Sequence, residues 1–173
     1  MRVFHQATKL PIDKNIFISI ISGTEAGIAT TAAIVAGLLI GTNDRNIVIV
    51  SAIIATFVQA FNSAITSTLA LKIMDEIEDS KKEASLLRPL AKTAMQFITH
   101  IMAGIVVILP VIYVDSLGYS LIYSVAIAMV LLVWIGLAVG FIVHKSPLKY
   151  GLESLLTGSL IITGGFIAGL LVS

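Results

Sequence analysis

Five apolar runs, each long enough to cross a lipid bilayer as a helix, leave this chain few possible architectures. An α-helix needs about 20 apolar residues to span roughly 30 Å of hydrocarbon. Such runs extend from Asn15 to Gly41, from Asn46 to Met74, from about Thr93 to Val114, from about Ser120 to Val143 and from about Tyr150 to Ser173. Polar breaks separate them: Thr42 to Arg45, Asp75 to Lys92, Asp115-Ser116, and His144 to Pro147. The two-residue alternation of a transmembrane barrel is absent. The chain is 57% hydrophobic and 12% charged, against roughly 25% charged for soluble domains, so it has too little charge to cover a water-soluble globule. The expected fold is an all-α integral membrane protein, with residues 1–173 forming a single transmembrane domain.

Charge fixes the expected orientation. Ten of the eleven basic residues fall on one side: Arg2, Lys9 and Lys14 before the first span, Lys72, Lys81, Lys82, Arg88 and Lys92 around the second connection, and Lys145 and Lys149 in the fourth. Only Arg45 lies on the other side. The positive-inside rule then puts the N-terminus in the cytoplasm and the C-terminus outside, in a plasma or inner membrane. The first ten residues are too polar for a cleavable signal peptide. A net charge of +1 offers no field for holding nucleic acid. With no cysteine, thiolate metal sites and cysteine nucleophiles are excluded, and no hydrolase or metalloprotease motif appears. An enzyme is not expected, nor a bound cofactor.

Ionisable groups inside hydrocarbon are costly and mark functional sites. Glu25 lies about ten residues into the first span, about 15 Å deep at 1.5 Å per residue, with no basic residue at that level. It is either a cation ligand and proton carrier, or a protonated acid bonded to a neighbouring helix. The second span carries Gln59, Asn62, Ser63, Thr66 and Ser67 at spacings of three and four, which puts them on one face. Their oxygens suit hard cations or act as interhelical glue; facing Glu25, they would complete its site. Gln96 and His100 form an i, i+4 pair on the third span, where His100 is either structural or a ligand or proton relay. Glu153, one turn after Lys149, either snorkels to the interface or serves as a second relay. The fourth span has no ionisable group and is expected to face lipid.

Glycine pairs four residues apart, Gly23/Gly27, Gly37/Gly41, Gly136/Gly140 and Gly165/Gly169, predict close helix packing. Gly23 and Gly27 flank Glu25, placing the acid at a helix or subunit contact. Residues 75–88 read as a short cytoplasmic helical extension of the second span, ended by Pro89.

Three stretches together resemble the vacuolar iron transporter family. The segment Gly27 to Gly37 is similar to that family's Asp-Gly-Leu-Val-Thr-Thr region. Ala60 to Lys72 resembles its Ser-Met-Ala-x-Gly-Glu-Tyr segment, and Ser146-Pro147-Leu148-Lys149-Tyr150-Gly151 its Ser-Pro-Leu-Arg-x-Gly entry to the last span. The chain looks like a divergent, short member without the long cytoplasmic metal-binding domain. The family's metal-path aspartate falls on Ala26, beside Glu25, its second-span methionine on Ser63 and its glutamate on Ser67. The resemblance implies five spans, a homodimer with the first two spans lining a central path, and exchange of ferrous iron or manganese for protons.

The functional expectation is a proton-coupled divalent cation carrier exporting metal from the cytoplasm. Its partners are the bilayer, a second copy of the chain, protons and divalent cations. The expected site is Glu25 with Gln59, Asn62, Ser63 and Ser67, two copies of Glu25 meeting at the dimer axis, and His100 and Glu153 in secondary roles. The alternative is a membrane scaffold or partner subunit that keeps the fold without transporting.

Overall fold

The computed structural model describes residues 14–78 and 87–173. It is all helical there: α1 (Lys14–Gly41), α2 (Arg45–Glu78), α3 (Leu87–Tyr113), α4 (Leu117–Ile142) and α5 (Pro147–Val172). Each contains a segment long and apolar enough to cross a membrane: Ile16–Gly41, Arg45–Met74, Thr93–Tyr113, Leu117–Ile142 and Pro147–Val172. The five expected spans are therefore present, and the chain has the make-up of a multi-pass membrane protein. Arg2 and Lys9, and residues 79–86 of the expected extension, lie outside the described residues. The extension differs from expectation at its far end. Leu87 and Arg88 already belong to α3, so Pro89 lies in that helix's first turn and ends nothing. Proline is tolerated there because the first amides of a helix have no intrahelical acceptor.

α1 is the hub, packed against all four other helices and most extensively against α3 and α5. Its sequence allows this, because Ala29, Ala32, Ala33 and Ala36 are buried and small enough for neighbours to approach from several directions. The glycines set the closest approaches. A Cβ on Gly23 or Gly27 would collide with the α3 backbone at Gln96 and His100. One on Gly37 would lie 2.7 Å from the Gly165 carbonyl oxygen, and one on Gly165 would strike the Ala33 backbone. On α4, Gly136 and Gly140 meet the α5 backbone at Tyr150, Gly151 and Pro147. All four expected glycine pairs thus pack helices within one chain, including Gly23/Gly27 and Gly37/Gly41.

These contacts also give direction. Pairings rise together between α1 and α5 (Ala33 with Gly165, Gly37 with Gly169) and between α1 and α3 (Gly23 with Gln96, Gly27 with His100), so α1, α3 and α5 run parallel. Pairings run oppositely between α4 and α5 and between α2 and α3. There Thr68 Oγ1 lies 2.5 Å from Thr93 Oγ1, while Thr56 sits beside Gly104. α4 buries one narrow stripe, Ser120, Ser124, Ala128, Leu132, Gly136 and Gly140, and leaves the remainder half-buried or exposed, Trp134 among the exposed. At the ends of α1, α3 and α5, Asp44 Oδ1 accepts the Asn46 amide at 2.8 Å and caps α2. Arg45 donates to the Val114 carbonyl at 2.6 Å and to that of Asp115, satisfying the last carbonyls after α3.

Candidate site at Glu25

Successive residues of an α-helix turn by about 100°, so Glu25 projects about 200° round from both Gly23 and Gly27. Because those glycines press α1 onto α3, Glu25 is directed to the opposite side, toward α5. There the buried Ser154 hydroxyl donates to Glu25 Oε1. Ser154 belongs to a stripe of buried residues on α5 with Gly151, Gly158 and Ile162, which lets α1 and α4 approach that face. The carboxylate is half-buried. It sits about 14 Å along α1 from Ile16, and its partner Ser154 about 10 Å along α5 from Pro147, at 1.5 Å per residue. Both measures put the acid inside the apolar span, in the half nearer the start of these helices.

Two cavities meet at Glu25. The smaller, about 260 Å³, is lined by Glu25 and Ile21 of α1, by Gly136 and Val139 of α4, and by Tyr150, Glu153, Ser154 and Thr157 of α5. It extends from the first turns of α5 to the half-buried acid and gathers two carboxylates with three hydroxyls, an oxygen-only donor set suited to hard cations. Thr157 Oγ1 donates to the Glu153 carbonyl at 2.9 Å, leaving its lone pairs available. Glu153 also pairs with Lys149 at 3.8 Å, both side chains more than half exposed, and such a contact adds little stability. The larger cavity, about 610 Å³, is a mainly apolar groove between α1, α4 and α5.

The expected site is assembled differently from the sequence reading. Gln59, Asn62 and Thr66 are exposed and Ser63 and Ser67 half-buried on α2. None of them lines a cavity with Glu25. α2 packs on α1 and α3, whereas Glu25 faces α5. Within one chain the stripe therefore does not face the acid. His100 is level with Gly27 and 1% exposed, on the α3 side of α1. Neither of its ring nitrogens has a hydrogen-bond partner among the described residues, and it lines neither cavity at Glu25. Glu153, expected in a secondary role, does share the Glu25 cavity. Among the described residues no three histidine or acidic side chains cluster. Ser154 was missed from sequence; its signal is the spacing Gly151, Ser154, Gly158, which marks one small-residue face of α5.

No protein-family model matches the chain, and no curated protein matches it.

Proposed function

We propose that this protein is a proton-coupled carrier of divalent cations, iron- or manganese-like, that moves metal out of the cytoplasm across the plasma or inner membrane. The observation that carries this reading is the cavity joining Glu153, near the start of α5, to the half-buried Glu25. Ionised, Glu25 and Glu153 offset the dehydration of a divalent ion, and the hydroxyls of Ser154, Thr157 and Tyr150 supply further hard oxygens. Protonated, Glu25 no longer offsets that cost and the ion leaves, so each release is linked to proton uptake. The resemblance to the vacuolar iron transporter family supports the five-span carrier. The second carboxylate comes here from α5, in place of the family glutamate that falls on Ser67. Ten basic residues on one side support a cytoplasmic N-terminus.

The test is metal-dependent thermal stabilisation of the purified protein. Manganous or ferrous ion is expected to raise Tm at neutral pH, with the shift lost on acidification. At a metal concentration a hundred times Kd the gain is about 2.7 kcal/mol. Absence of any shift with ferrous, manganous, zinc, calcium and magnesium ions would contradict the proposal. It would favour the second reading, a non-transporting scaffold in which the Ser154–Glu25 hydrogen bond only ties α1 to α5.

A homodimer joined through α2 completes the reading. Gln59, Asn62 and Thr66 form an exposed stripe, and exposed amides in hydrocarbon are costly unless a second helix pairs with them. Because the chain has no cysteine, Asn62→Cys introduces a unique thiol. Oxidative cross-linking in membranes is expected to give a dimer with Asn62→Cys and none with Ile122→Cys, on the exposed face of α4. Equal yields from both would place the contact elsewhere.

A further inference from the structure

The apolar groove at Glu25 has no role in moving a small hydrated metal ion, which gains nothing from hydrocarbon walls. At about 610 Å³ it has the volume of a site for a drug-sized organic molecule. Phe17 and Ile21 of α1, Leu132 and Val139 of α4, and Ile161 of α5 form its walls, and Glu25 is its one acidic residue. No lysine or arginine lines it, and among the described residues Glu25 forms no ion pair. Walls of this kind select an apolar body, and the carboxylate selects a positive charge at one end of that body.

We propose that the groove binds amphiphilic organic cations, with the apolar body against Phe17, Leu132 and Ile161 and the charged centre at Glu25. A quaternary phosphonium or ammonium fits this chemistry best, because it keeps its charge in a weakly hydrating site where a metal ion would need several oxygens. The inference rests on Glu25 as a cation-binding carboxylate, as does the metal proposal, but it uses a different cavity. Since both ligands meet the same carboxylate, each displaces the other.

Equilibrium binding of radiolabelled tetraphenylphosphonium to proteoliposomes, against protein-free vesicles of the same lipid, tests this. Saturable binding is expected in the wild type, with at least tenfold weakening in Ile161→Trp, which fills the groove away from the acid, and loss in Glu25→Gln. Binding that is non-saturable, or undiminished in both variants, is partition into lipid and overturns the proposal. Manganese flux, read on the same vesicles, separates the two claims. Saturable phosphonium binding without metal flux sustains the groove and removes the metal carrier, whereas metal flux without saturable phosphonium binding overturns the groove alone.

Discussion

Gly165→Leu is expected to abolish the stable five-helix protein, while Gly164→Ala, one residue away, leaves it intact. A Cβ on Gly165 would strike the Ala33 backbone, whereas one on Gly164 meets nothing within 4 Å. The partner at Gly165 is main chain, so no side-chain rotation relieves the clash, and α1 and α5 must separate. Overpacking by even one methyl costs about 1–3 kcal/mol, so Gly165→Ala should lower Tm by roughly 3–10 °C. Leucine at the same position adds a larger displacement to the helix that every other helix packs against. Alanine at Gly164 gains helix propensity, up to about 1 kcal/mol. Thermal melts and size-exclusion profiles of the three variants check this. Equal behaviour of Gly164→Ala and Gly165→Ala would contradict the α1–α5 contact.

Glu25→Gln should leave the fold nearly unchanged and remove the transport. The amide oxygen still accepts the Ser154 hydroxyl, so the contact between α1 and α5 survives and Tm should stay close to the wild-type value. What disappears is one negative charge. Two unit charges 4 Å apart interact by about 4 kcal/mol at an effective dielectric near 20, and a divalent ion doubles the attraction. Because Glu25 is only half-buried, solvent screens part of this, yet a loss of about 2 kcal/mol already weakens binding roughly thirtyfold. Metal flux at sub-saturating concentration should fall at least tenfold, and the residue of it should lose its pH dependence. A fully active variant with an unchanged pH profile would place the coupling group elsewhere.

The architecture was legible because membrane spans are set by length and apolarity, which are local properties of sequence. The glycine pairs were legible for a related reason: residues four apart share a helix face, and only the absence of Cβ allows backbone contact there. Pro89 misled because proline reads as a helix end, although it is equally at home in a first turn. The site was legible only in part. Glu25 stands out by the cost of its charge, and its depth follows from the helix rise. Periodicity shows that Gln59, Asn62 and Thr66 share a face but not which neighbour that face meets, and the packing of α1 on α3 through Gly23 and Gly27 turns Glu25 away from α2. Ser154 stayed hidden because its partner is 129 positions distant, and a single serine on a membrane helix is common.

Proton movement driven by metal tests the carrier account most directly. Vesicles containing the protein and a trapped pH indicator, with manganese imposed on one side, should show a saturable proton flow opposite to the metal. The flow should vanish with Glu25→Gln at unchanged Tm. Metal crossing with no accompanying proton signal, or an undiminished proton signal in Glu25→Gln, would contradict the assignment of Glu25 as the group that exchanges a proton for a cation.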